Sequence, residues 1–224
     1  MSSTNSPYVL QVLHVPYRPV HTDEEIQQDL KPAIQLLFGA NGLIAAWRGK
    51  RYEDRFTYIY LLLWKDLASS HAFFTSEAYR EFNHVVQPAL NGRKIFWQQH
   101  ALVGQSELDD ITHLKSIVDS PCIEVALTKV VEGGVSRYYR AFRSTISRIL
   151  DDDPGCDGWW ISPQVENPQH QILMINWKSV DAHHEEFEKQ PSFQQCIDAL
   201  KDYYGEFVVP THMVEVKLVF GGLP

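Results

Sequence analysis

Apolar positions along the chain alternate between two rhythms. Tyr8–Val15 alternates with period two and predicts a strand. In the following "HTDEEIQQDLKPAIQLLF", Ile26, Leu30, Ile34 and Leu37 fall on one face of a helix. Thr22 and Glu25 have the spacing of a capping box, and Pro32 either bends that helix or marks its first turn. Asn41-Gly42 reads as a turn, and Leu43–Arg48 and Tyr58–Trp64 as two strands joined by a charged turn. A helix is predicted over about Ala68–Ala89, with Phe74, Tyr79, Phe82 and Val86 facing inward, and a strand over Ile95–Val103.

The same order then recurs. Trp64-Lys65 matches Trp177-Lys178 at an offset of 113 residues, and at that offset Trp47 meets Trp160, His71 meets His184, Phe74 meets Phe187 and Gly42 meets Gly155. Tyr79 and Val86 meet Phe193 and Leu200 after one inserted residue. Tryptophan is rare, so two of them recurring in one register indicate a duplicated unit. The second copy reads as strand Ile123–Val130, helix Ser136–Leu150, strands Gly158–Ser162 and Gln171–Trp177, helix Asp181–Tyr203 and strand Thr211–Phe220. The organisation expected is a first repeat over 1–104, a polar connector over 105–120 and a second repeat over 121–224. The order β-α-β-β-α-β is ferredoxin-like, with helices on one face of an antiparallel sheet. The fold class expected is α+β, with the bare faces of the two sheets packed together as a pseudo-dimeric barrel within one chain.

Composition narrows the partners. The 224 residues carry a formal net charge of −8 and no basic stretch, which argues against nucleic acid. No apolar run approaches membrane-spanning length, and the polar start "MSSTNSPYVL" lacks a signal-peptide core. Cys122, Cys156 and Cys196 have neither CxxC spacing nor an even count, so a reducing, cytoplasmic setting is expected.

The segment "LLLWKDLASSHAFFTSEAYREFNHVVQPAL" resembles the W-x-S/D-x-x-A-h-x-x-F-x-x-S-x-x-Y/F pattern of the antibiotic-biosynthesis-monooxygenase superfamily of dimeric α+β barrels. Counted once per half, the resemblance covers most of the chain. It implies a cofactor-independent oxygenase tailoring a polyketide-like aromatic in secondary metabolism. Cyclisation, isomerisation or decarboxylation by His/Tyr acid–base chemistry is the alternative, and a non-catalytic small-molecule-binding barrel a third reading. The haem-degrading branch needs a Trp and a His ten residues apart and an Asn on the first strand; Phe73 and Asn83 stand at the first two places and the first strand carries His14 but no Asn, which argues against haem degradation. No metal or organic cofactor is expected. The implied partner is a small hydrophobic aromatic substrate, and the assembly a monomer acting as a pseudo-dimer, or a homodimer.

Such an oxygenase needs a base, a donor for developing negative charge and an aromatic-lined cavity. His14, in phase with Tyr8, Leu10 and Val12, and His100, in phase with Phe96, Gln98 and Leu102, are candidate acid–base groups; each also suits a core or rim position. Tyr60 is the third catalytic candidate. Tyr58, Trp64, Gln98, Arg48 and Phe73 form the candidate substrate-binding set, with Arg48 placed to stabilise an enolate. A single active site should sit where the repeats differ. His14 is set against Thr128 and Tyr60 against Leu173, which favours the first half.

His183 and His184 invite a metal reading. Adjacent helical residues point about 100° apart, however, and neither HxxxH nor HExxH spacing occurs. The expectation is that they solvate or pack a helix start.

Overall fold

A computed structural model describes residues 8–19, 22–90, 92–104, 110–206 and 208–223; at 96–98 the backbone alone is described. The chain divides into two compact units, Met1–His100 with Lys217–Pro224, and Ala101–Val216.

In the first unit, β1 (Tyr8–Pro16), α1 (Asp23–Phe38), β2 (Leu43–Arg51), β3 (Thr57–Trp64), α2 (Leu67–Phe74), α3 (Glu77–Leu90) and β4 (Phe96–Val103) follow in order. The sheet runs β4-β1-β3-β2, with the Lys217–Gly221 end of β9 (Thr211–Gly221) beside β2. The capping box is formed: the Thr22 side chain accepts from Glu25 N, and Glu25 reaches back to Thr22 N. Pro32 lies inside α1, which continues through it. The predicted helix over Ala68–Ala89 is two helices, because Thr75 and Ser76 break it by turning their hydroxyls onto the carbonyls of His71 and Phe73.

Register decides which side chains meet. Leu13 pairs with Tyr60 and Val15 with Tyr58, whereas His14 pairs with Ile59. Residues directly opposite in an antiparallel pair share a face. Leu13, Val15 and Tyr60 therefore face the helices, where they meet Leu30, Ala33, Leu37, Phe82 and Val86. His14 lies on the other face with Ile59. Every residue of β3 is buried, so its run reads as continuous hydrophobicity rather than alternation.

The second unit contains α4 (Ile111–Val118), β5 (Cys122–Val130), α5 (Val135–Ala141), α6 (Ser147–Asp152), β6 (Cys156–Pro163), β7 (His170–Trp177), α7 (Pro191–Leu200), β8 (Tyr204–Glu206) and the first part of β9. Its sheet runs β9-β5-β7-β6, with β8 on β5. Helix α4 lies within the stretch read as a connector and buries Leu114, Ile117 and Val118. A π-turn over Phe142–Ile146 joins α5 to α6. Another, over Ala182–Glu186, stands where the first repeat has α2. Its core gathers Tyr138, Phe142, Trp177, Phe187 and Leu200.

The duplication holds in the strand pairing. Val9↔Trp64 through Pro16↔Thr57 recurs as Cys122↔Trp177 through Lys129↔His170, each shifted by 113. The irregularity between Leu43 and Ala45 recurs between Cys156 and Gly158, and the Lys65 N to Gly42 O bond recurs as Lys178 N to Gly155 O. This register corrects one sequence correspondence: the counterpart of His14 is Leu127, not Thr128.

Candidate functional site

Arg48 and Tyr60 meet because β2 and β3 pair them directly, and the pairing aims both at α1. They line a cleft of about 440 Å³ with Glu24, Gln27, Gln28, Lys31, Ile34 and Phe38 of α1, and Val219 of β9. The α1 contribution comes from positions 24, 27, 28, 31, 34 and 38, which lie along one side of the helix. Ile34, Phe38 and Val219 make apolar walls, while Lys31 and Glu24 put charge at the cleft.

The Arg48 guanidinium stands over the Tyr58 ring, 4.8 Å from its centroid, and Tyr58 meets Tyr60 edge-to-face at 6.4 Å. Burial pushes the Tyr60 phenol up to about 12, with the Arg48 charge opposing that rise. Tyr60 is thus a protonated donor at neutral pH, next to a permanent cation. The Tyr60 hydroxyl is itself buried, so Arg48 is the member of the pair that can meet an oxyanion in the cleft, and neither can supply a base.

The other sequence candidates lie elsewhere. His14 is fully buried on the opposite sheet face, and burial, reinforced by Arg51 and opposed by Glu53, lowers it to about 4. The expected joining of His14 with Tyr60 around one substrate does not occur, since one residue of register separates them onto opposite faces. His100 is buried, with Nε2 3.0 Å from Ser70 Oγ on α2. Trp64 and Phe73 pack together at 5.9 Å in an aromatic cluster with Phe74, Tyr79 and Phe82, and neither lines the cleft. The Gln98 side chain lies outside the described residues. Of the eight candidates, Arg48, Tyr58 and Tyr60 come together. Sequence reasoning missed the α1 face, whose polar residues looked like ordinary solvent-facing positions.

A second polar constellation lies in the second unit. Trp177 donates to Glu124 Oε2 at 2.8 Å, and its ring stacks on His183 at 4.8 Å and 13°. His183 Nδ1 is 2.8 Å from His212 Nε2, and His183 Nε2 is 3.6 Å from Glu124 and 3.7 Å from Glu188. His184 Nδ1 bonds Glu188 at 2.9 Å. Glu124, His183 and His212 are buried, and burial raises the Glu124 carboxyl despite the Trp177 bond. The first unit has the same scaffold with different chemistry: Trp64 donates to Gln11 at 2.9 Å, and Ser70 meets His100. The expectation that His183 and His184 point apart fails at the level of the rings, which stack at 4.7 Å and 27° through their side-chain rotamers. The 113-residue offset already sets Glu124 against Gln11 and His183 against Ser70, a signal available in the sequence.

All three cysteines are free and buried, and burial pushes Cys156 up to about 12 and Cys196 to about 11. Neither thiol suits nucleophilic catalysis. Among the described residues, no helix is long and apolar enough to cross a membrane.

Residues 121–199 match the family model described as antibiotic biosynthesis monooxygenase, so the superfamily resemblance carried by the first repeat's motif is matched in the second. Solved structures share the fold across nearly the whole chain. An anthrone oxidase-like protein superposes with a TM-score of 0.63 at 13% identity, covering 97% of this chain and 95% of its own. A candidate monooxygenase from Fusobacterium nucleatum superposes with a TM-score of 0.60 at 11% identity, covering 97% of both chains. A candidate chlorite dismutase superposes with a TM-score of 0.63 at 10% identity, covering 96% of this chain and 95% of its own. Identities this low establish a shared α+β fold rather than a shared reaction. No curated protein matches the chain.

Proposed function

We propose that the protein is a cofactor-independent oxygenase of electron-rich, polyketide-like aromatics, working in the cytoplasm and binding its substrate in the first-unit cleft. The observation that carries the reading is the Arg48–Tyr60 pair beside the apolar walls of the 440 Å³ cleft, a size within the roughly 300–1,000 Å³ of small-molecule sites. The monooxygenase-like relatives of the fold supply the reaction class.

Arg48, backed by the buried neutral Tyr60 phenol, stabilises the anion of a bound phenol or anthrone, lowering its pKa so that it ionises near neutrality. Ile34, Phe38 and Val219 pack against the ring system. The substrate anion supplies the electrons to dioxygen. A carbon–oxygen bond forms, and the resulting hydroperoxide loses water to leave a carbonyl, one oxygen atom going to product and one to water.

Oxygen uptake with an anthrone tests this. One dioxygen is consumed per substrate; Arg48→Met lowers the rate by roughly 10²-fold for a lost oxyanion donor, and Tyr60→Phe lowers it less. Product formed without oxygen uptake would establish the cyclase or isomerase reading instead. Uptake unchanged in both variants would remove the cleft from the reaction.

A further inference from the structure

We propose that the second unit carries a binding site for a divalent transition metal of the zinc class, formed by His183, His184 and His212. One nitrogen from each of the three residues lies within 4.8 Å of the others, and His183 and His212 already approach to 2.8 Å. Three imidazoles are a donor set that suits zinc, cobalt and nickel, and zinc commonly takes three protein ligands with a fourth position left to water or a carboxylate.

The arrangement around the rings is that of a built site. His183 presents Nδ1 to His212, while its Nε2 faces the carboxylates of Glu124 at 3.6 Å and Glu188 at 3.7 Å. His184 holds Glu188 through Nδ1 at 2.9 Å, which leaves its Nε2 for an ion. Carboxylates behind ligating imidazoles fix ring orientation and raise ligand basicity, and here they also supply the countercharge that a buried divalent ion requires. Trp177 clamps the His183 ring by stacking and holds Glu124 by its indole N–H. Imidazole–zinc bonds of about 2.0–2.1 Å require the His184 ring to close in by side-chain rotation. With its side chain 39% exposed, His184 has room for that movement.

The duplication provides an internal contrast. The first unit keeps the tryptophan, one helix-borne histidine (His71) and the strand histidine (His100), but has Ser70 and Gln11 where the second has His183 and Glu124. Both changes add what a cation needs, one ligand and one negative charge. The first unit has the α2 helix where the second has the π-turn at Ala182–Glu186, within which the His183 and His184 rings stack at 4.7 Å. This site is separate from the Arg48–Tyr60 cleft, and neither proposal depends on the other.

The full chain, stripped with a chelator and titrated with Co²⁺, tests the proposal. One equivalent binds with the visible absorption of a tetrahedral nitrogen-ligated ion, and Zn²⁺ displaces it. His183→Ser, which installs the first repeat's residue, weakens binding by more than the roughly 10–100-fold typical of losing an outer-shell partner. His71→Ala and His100→Ala leave binding unchanged. If His183→Ser fails to fold by circular dichroism, His184→Ala at the half-exposed position gives the same readout. The proposal is overturned if the wild-type chain gives no such spectrum, or if the spectrum survives either folded variant.

Discussion

Trp177 donates its indole N–H to Glu124 at 2.8 Å, with both side chains buried. Trp64 makes the same bond to Gln11 at 2.9 Å. One scaffold thus carries a neutral acceptor in one repeat and an ionisable one in the other. Glu124→Gln keeps an acceptor for the indole and is expected to change stability by no more than about 1 kcal/mol, whereas Glu124→Leu strands a buried N–H and costs about 1–3 kcal/mol. Gln11→Glu should be worse than Glu124→Gln, because Ser70 stands where His183 would offer a partner. Urea denaturation of the three variants checks the order, and equal costs for the two swaps would contradict it.

Gly42 and Gly155 occupy equivalent turns but carry different constraints. Gly42 has φ +87, and an added Cβ would lie 2.5 Å from Ser69 Cβ; Gly155 has no positive φ, and its Cβ would meet Ala182 Cβ at 3.1 Å. Gly42→Ala is expected to destabilise by more than about 1 kcal/mol and Gly155→Ala by less. Thermal melting of the two variants decides between this order and equivalence.

His14 gives the fold a pH dependence of defined sign. Its pKa falls from 6.5 to about 4 on folding, chiefly through burial, so between those values the unfolded chain binds more protons. Its contribution is therefore complete above about pH 6.5 and lost progressively down to about pH 4, amounting to about 3 kcal/mol at 1.36 kcal/mol per unit. His14→Leu, which installs the residue of Leu127, should flatten the stability profile over that window. A slope identical to wild type would show that another group controls it.

The cleft makes a kinetic prediction distinct from loss of rate. Arg48 stacks on Tyr58 as well as facing the cleft, so Arg48→Lys retains charge but loses the planar stacking. Turnover should fall less than in Arg48→Met, with the larger effect in KM. His14→Leu, on the opposite face, should leave both parameters near wild type. Steady-state kinetics on an anthrone separates these outcomes.

The repeat, the element order and the α+β class were legible because they rest on local periodicity and on rare residues recurring at a fixed spacing. Even the contrast between Ser70 and His183 was visible at that spacing. The split between α2 and α3, α4 and β8 were not. Short elements that end on side-chain hydrogen bonds, as at Thr75 and Ser76, leave little periodic trace.

The site divides along the same line. Sequence alone could nominate His14, Tyr60, Arg48 and Tyr58, since residue type and approximate strand phase are written in it. Which of them meet depended on register, where one residue sends a side chain to the other face, and it placed Tyr60 with Arg48 and His14 away from both. The paired histidines show the converse. Their adjacency in sequence argues against a shared ion on regular helix geometry, and only the rotamers that stack the two rings and the arrival of His212 from a strand 28 residues beyond His184 gather three imidazoles in one place. Local pattern determined the elements; long-range pairing, which no local pattern encodes, decided which chemistry they assemble.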